Sequence, residues 1–276
     1  VTMRSHRIAA IELDEARLAA DLAASGDFVY NDSYADFVST GMLRSTMLWN
    51  QTGTLQETSL GDYDGSAVPT PHGEAMPYVR ELVGRLFRTE YLKYARFMRL
   101  APGSVYVPHR DFLELKADMI RIHLPLQTDD SVFASEESTV FRMRRGELWF
   151  LDASRTHSVG SFSEHDRVHA ICDFTADSLS DVLAFGTPEE PVIPAGNVAD
   201  RPPLDDRGRS ALLGLAGVLD ARNYQEIQTL LIKQHFLSDI SGDDVFTLLK
   251  EIAAASGSSE LLTRATAHEE YCMVRR

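Results

Sequence analysis

Between Tyr91 and Phe174 apolar residues recur at every second position, in runs too closely spaced to leave room for helices between them. Strand-like runs occupy 91–100, 104–112, 119–127, 139–143, 147–152 and 166–174. Pro102-Gly103, Asp129-Asp130 and Arg145-Gly146 supply turns between them. Short strands in succession without crossover helices point to an antiparallel sandwich or roll, not a parallel sheet. Such a roll can hold a ligand in its mouth.

The alternation also assigns faces. In 119–127, Ile120, Ile122, Leu124 and Leu126 share the side that packs on a core, and Arg121 and His123 share the other. In 166–174, Val168, Ala170, Cys172 and Phe174 oppose Arg167, His169, Ile171 and Asp173. Burying a charge without a partner is costly, so an inward-facing arginine requires an anion. The plainer alternative is that both polar faces look at water.

Around this centre the pattern is different. Residues 3–11 read as a short strand, and Asp14 to Ala24 as a helix with Leu18 and Leu22 four apart. Residues 26–75 are polar, turn-rich and undecided. Pro77 opens a helix whose stripe is Val79, Leu82, Val83, Leu86 and Phe87. Residues 175–205 read as a linker containing Thr187, Pro188, Pro191, Pro194, Pro202 and Pro203. Beyond Asp205 helical faces follow one another, Ser241 serving as an N-cap, and short connections predict a small bundle packed on the sheet domain. The chain of 276 residues therefore divides into a sheet domain over 1–200 and a helical domain over 201–276.

A formal charge of −14, from 41 acidic and 27 basic side chains, disfavours nucleic acid and anionic membrane as partners. No apolar run reaches the roughly 18 residues of a membrane span, and the N-terminus lacks the pattern of a signal peptide. Cys172 and Cys272 form neither a metal-ligand spacing nor a disulfide framework, which suits a reduced, cytoplasmic protein.

The chemistry concentrates at Pro108-His109-Arg110-Asp111. Two residues apart on a strand, His109 and Asp111 point the same way. With His157, which follows the Gly146-fed strand, they make the 2-His-1-carboxylate set that holds Fe(II) on one face and leaves open positions opposite. The competing reading has His109 capping a turn and His157 on the surface. Arg167, ten positions on, suits the distal carboxylate of 2-oxoglutarate because its fork binds a carboxylate bidentately. Arg121 and His123 are expected at the other end of that cosubstrate. Arg96, on a face with Tyr94 and Met98, is expected to meet a second carboxylate, that of the substrate.

These segments resemble a known family. Leu100-Ala101-Pro102-Gly103-Ser104, Pro108-His109 and Arg121-Ile122-His123 are similar to the turn, ligand and cosubstrate segments of the aspartyl/asparaginyl β-hydroxylase-like 2-oxoglutarate oxygenases. A closer resemblance, to the bacterial free-L-proline cis-hydroxylases, rests on Trp49-Asn50-Gln51-Thr52-Gly53, on residues 108–115, and on residues 146–153 followed by His157-Ser158, Phe162-Ser163-Glu164 and Arg167. Phe133-Ala134 and residues 54–75 depart from the pattern, which bears on regiochemistry and substrate, not on reaction class. The resemblance implies a mainly β fold with α: a double-stranded β-helix (jelly-roll) core, N-terminal helices and a C-terminal helical bundle. It implies Fe(II), 2-oxoglutarate and O2, and a free L-amino acid as substrate, with L-proline hydroxylated at a cis-3 or cis-4 ring carbon. Asn50, in the matched segment, is expected to meet the substrate's ammonium and carboxylate. Pipecolate, an acyclic amino acid or a peptidyl residue are alternative substrates, and a homodimer is an admissible assembly. Two other classes stay open: a cupin-like metalloenzyme that needs no keto acid, and a non-catalytic ligand-binding roll.

Overall fold

In the computed structural model the alternating segments pair into two antiparallel sheets that face one another across a cavity. Residues 4–32, 35–111, 119–185 and 190–274 are described. Met3 of the first expected strand, residues 112–115 of the matched motif, and Thr187 and Pro188 of the linker lie outside them.

The chain opens with β1 (His6–Ala10) and α1 (Glu15–Ala24), where the Arg17 amide donates to the capping Asp14 carboxylate at 3.0 Å. It continues through β2 (Asn31–Asp32), β3 (Val38–Thr40), β4 (Leu43–Asn50) and β5 (Val68–Pro69). The helices α2 (Pro71–Glu74) and α3 (Pro77–Leu86) each start on a proline, whose missing N–H is one a helix would leave unpaired there anyway. The central series is β6 (Leu92–Leu100), β7 (Val105–Tyr106), β8 (Ile120–Gln127), β9 (Val132–Glu136), β10 (Thr139–Phe141), β11 (Glu147–Leu151), β12 (His157–Ser161) and β13 (Arg167–Phe174). The chain then forms α4 (Leu179–Val182), α5 (Asp206–Leu213), α6 (Tyr224–Leu237), α7 (Gly242–Ala255) and α8 (Ser259–Met273).

The larger sheet has the order β1-β11-β8-β13-β6-β4-β2, with β5 beside β4, and the smaller has β10-β9-β12-β7-β3. From β6 onward the chain crosses repeatedly between the two sheets, which is the winding of a jelly roll. Gly146 makes the turn into β11 at φ +78°, where a Cβ would also press on the Ile11 carbonyl at 3.1 Å.

Several strands differ from the sequence reading. β4 lies within the undecided 26–75 stretch; nearly every residue along it is buried, so it carries no polar–apolar alternation to read. β9 and β12 complete the smaller sheet and escaped for a similar reason: their inward residues are small or polar. Conversely, the expected 104–112 strand is ordered only as β7 and a single bridge at His109. Pro108 lacks the N–H that a continuous ladder needs there.

Each sheet has its outer face covered by helices. Leu18 of α1 and Val79, Leu82 and Val83 of α3 pack with Ile122, Leu124, Val168 and Phe174 of the larger sheet. Leu231, Ile232 and Phe236 of α6 and Leu249 of α7 share a core with Val105 of the smaller sheet. The α7 cap is a full capping box, Ser241 and Asp244 each satisfying the other's backbone amide. Among the described residues no helix is long and apolar enough to cross a membrane. With both outer faces covered, the inner faces are left to line the cavity.

Candidate active site

His109 and His157 are held side by side by the backbone. Each donates its amide to the other's carbonyl at 2.9 Å, a two-bond bridge that brings the ring centroids to 4.4 Å. The next descending turn is fixed too, since the Asp111 amide donates to the Ala153 carbonyl at 2.7 Å. The side chains of His109, Asp111 and His157 thereby present ligand atoms that all lie within 4.8 Å of one another, and all three residues are buried.

The imidazole tautomers follow from the partners. Nδ1 of His109 lies 2.8 Å from the Val107 carbonyl, and Nδ1 of His157 lies 2.9 Å from the Arg155 carbonyl. A carbonyl only accepts, so each Nδ1 carries the proton and each Nε2 keeps a lone pair. Those Nε2 atoms stand 3.5 and 3.7 Å from the two Asp111 oxygens. Two imidazole lone pairs and a carboxylate oxygen converging on one point fit a divalent first-row metal such as Fe(II). Burial and the neighbouring His109 push His157 down to about 3, so it is neutral when a metal would need it. Burial alone would raise Asp111, but Arg121, His109 and His157 outweigh it and hold its carboxyl well below the usual range.

Phe37 stacks on His109 at 4.6 Å between centroids, and Tyr271 of α8 lies against Phe37. The Arg110 amide donates to the Cys272 carbonyl at 3.0 Å. The helical C-terminus thus backs the ligand segment directly. Gly242, the first residue of α7, is closer still. A Cβ there would lie 3.0 Å from Pro108 Cβ and 3.0 Å from Thr156 Cγ2, the residues just before the two histidines.

A chain of buried ion pairs runs along the larger sheet. Arg121 donates from Nη1 to Asp111 and from Nε to Asp173 at 2.7 Å, and Arg96 donates from Nη2 to Asp173 at 2.6 Å. Arg121 and Arg96 do reach the cavity wall, as their faces require. Both guanidiniums, however, are engaged by carboxylates of the chain, which corrects the expectation that Arg96 waits free for a substrate and Arg121 for a cosubstrate. Asp173 is the residue the sequence reading missed: it shares the inward face of β13 with Arg167, but nothing in the alternation says that it lies opposite Arg121 on one neighbouring strand and within reach of Arg96 on the other.

Arg167 is different. It is 4 % exposed, and among the described residues it makes no ion pair or hydrogen bond; its Nε is buried without a partner. Burial, opposed only by Tyr106, pulls it down to about 9, so it is still a cation at neutral pH. A buried guanidinium that none of the described carboxylates answers calls for an anion. His123, expected at the opposite end of the cosubstrate from Arg167, instead lies on the same wall as Arg167; its Nε2 is unpartnered among the described residues, and burial, Arg167 and Arg121 hold it neutral. The cavity between the triad and Arg167 has Leu43, Met98, Tyr106 and Ile171 among its apolar lining.

Two expected substrate contacts fall elsewhere. Asn50 is fully buried, but its Nδ2 donates to the Thr54 and Glu57 carbonyls and its Oδ1 accepts from the Gly53 amide. Both amide protons and one acceptor site of the oxygen are spent tying the 50–57 loop, and Asn50 does not line the cavity. Tyr94 packs with Met47 and Met119 and donates to the Gly61 carbonyl, while Met98 of the same face does reach the cavity.

Comparison with known proteins agrees with this geometry. The sequence profile of the family Aspartyl/Asparaginyl beta-hydroxylase matches residues 28–177, and that of L-proline 3-hydroxylase, C-terminal, matches residues 180–276. An L-proline cis-4-hydroxylase of Rhizobium meliloti (strain 1021) is 32 % identical over 274 residues, covering 99 % of this chain and 97 % of that one. L-proline cis-3-hydroxylases 1 and 2 of a Streptomyces species are each 32 % identical, over 281 and 285 residues, covering 99 % of this chain and 96 % of theirs.

Proposed function

The chain belongs to the aspartyl/asparaginyl β-hydroxylase family and carries the C-terminal region of the L-proline 3-hydroxylases, and on that premise we propose that it hydroxylates free L-proline at a cis-3 or cis-4 ring carbon. The observation that carries the reading is the buried Arg167, without an anion among the described residues, across one cavity from a buried His109, Asp111, His157 triad. The triad suits Fe(II), and the lone guanidinium suits the distal carboxylate of 2-oxoglutarate. Together with O2 these supply the oxidising chemistry, one oxygen atom entering the substrate C–H bond and the other the succinate formed as the keto acid loses CO2.

The chain's residues then have separable tasks. His109 and His157 offer Nε2 because their own carbonyl neighbours take the Nδ1 protons. Asp111 offers a carboxylate that Arg121 keeps ionised and oriented. Arg167 sets the far end of the cosubstrate, and His123 stands beside it. The apolar patch of Leu43, Met98, Tyr106 and Ile171 suits a small ring and excludes water from the reacting carbon. Arg96, paired to Asp173, lies on the same cavity wall. The enzyme is read as cytoplasmic, both cysteines being buried as thiols.

The test is substrate-dependent succinate release with L-proline, L-pipecolate, acyclic amino acids, and the same residues within a peptide. Release with L-proline and a hydroxyproline product by mass spectrometry is the expected result. Turnover confined to the peptide would sink the free-amino-acid reading, and turnover confined to acyclic amino acids would sink the proline reading alone.

A further inference from the structure

His123 on β8 and His169 on β13 face each other inside the roll. Their Nδ1 atoms are 3.2 Å apart and their rings meet edge to face, centroids 5.5 Å apart at 86°. Both rings are buried, and both Nε2 atoms lack a partner. Burial, with Arg167 next, holds each well below the ordinary histidine range, so the pair is neutral. A neutral imidazole has one N–H and one lone pair, and a hydrogen bond between two Nδ1 atoms needs one of each. Only two arrangements satisfy that. Either His169 donates and His123 carries its own proton on Nε2, or the reverse holds.

The surroundings choose between them. Nε2 of His123 is the ring corner opposite the His169 contact, and the ring lines the cavity that Arg167 also lines. If that cavity takes a keto-acid dianion, which only accepts, a lone pair on His123 would repel it and an N–H would bind it. His169 lines a smaller pocket with Phe133, Met143, Val159 and Arg167. An N–H on its Nε2 would there be an orphan donor beside a cation, whereas a lone pair is the less costly orphan and favours the cation. We propose that His169 is a positioning residue: it donates from Nδ1 to His123 and so fixes His123 as the tautomer that presents Nε2–H to the cosubstrate's carboxylate oxygens beside Arg167. This rests on the function proposed above, and the tautomer is tested separately from the cosubstrate.

The first measurement is long-range proton–nitrogen correlation on the full-length, Zn(II)-loaded protein with labelled histidine. His123 should show a protonated Nε2 and a bare Nδ1, and His169 the opposite. The reverse pattern overturns the proposal whatever the cavity binds. The second is 2-oxoglutarate affinity of the Mn(II)-loaded protein without oxygen. Asparagine places an amide N–H near the position of imidazole Nδ1, so His169→Asn should hold the Kd within about 2-fold, whereas His169→Leu should weaken it by about 5-fold, the scale of one net hydrogen bond. Equal losses in the two variants overturn the positioning role. An unchanged Kd in Arg167→Ala would instead remove the cosubstrate reading, and the nitrogen spectrum would still decide the tautomer.

Discussion

The two ends of the cavity are built from the same residue types, yet they are left in opposite electrical states. At the triad end, Asp111 is answered by Arg121, Asp173 answers both Arg121 and Arg96, and the histidine Nδ1 protons are placed on carbonyls. Among the described residues the carboxylates and guanidiniums of that end are paired with one another, and the Nε2 lone pairs are aimed at a common point. At the other end Arg167 has no anion among the described residues, and His123 and His169 each keep an unpartnered Nε2. One end is preorganised for a cation that arrives with open coordination sites, and the other for an anion. The contrast teaches that a binding site need not be where charge is concentrated. It is where charge is left over after the fold has satisfied itself.

Removing a ligand from the triad end should have the largest effect. In His109→Ala or His157→Ala, turnover falls to background and metal no longer binds in titration, while the circular dichroism spectrum is kept, because the site is set into a roll whose two cores lie on the outer faces. Near-normal hydroxylation by either variant at low iron would break the assignment of the metal to this end.

Arg167→Ala should come next. It leaves the distal carboxylate of 2-oxoglutarate desolvated and unpaired, which costs about 2–5 kcal/mol. The KM for 2-oxoglutarate should rise by about 30-fold or more on that scale, with metal affinity unchanged, and steady-state kinetics over a range of cosubstrate checks it. An unchanged KM would remove the difference between the two ends. Lysine should restore little, since it lacks the planar fork.

The smallest effect sharpens the contrast instead. Gly242→Ala puts a methyl against Pro108 and Thr156 together and touches neither Arg167 nor His123. Overpacking typically costs about 1–3 kcal/mol; if the strain falls on the ligand segments, Fe(II) affinity should drop by about 5-fold or more. At saturating iron the KM for 2-oxoglutarate should stay put. A shift in that KM with metal affinity unaltered would mean that the helical C-terminus braces the other end.

The legible parts of this protein were those written in local periodicity. The inward faces of β8 and β13 could be read because their outward residues are uniformly apolar, and that placed Arg121, His123 and Arg167 on one wall. The His109, Asp111 pair was legible as a two-residue spacing, and α7 was announced by Ser241. β4 was not, because a strand buried on both sides loses the alternation that marks it. Asn50 was misleading for a related reason: its side chain closes a loop within its own segment, and an amide that ties a turn has the same signature in sequence as one that holds a ligand.

The sequence by itself determined an antiparallel sandwich or roll, the types of atom offered to a metal, and which residues share a face with each of three arginines. It could do so because side-chain direction along a strand repeats with the backbone and needs no knowledge of neighbours. Only the tertiary structure decided which arginine is left without an anion. That depends on Asp173 of β13 standing between Arg96 of β6 and Arg121 of β8, residues 77 and 52 positions away, and on Arg167 standing beyond its reach. Charges cancel through space between strands, and the register that sets those distances is a property of the assembled sheet.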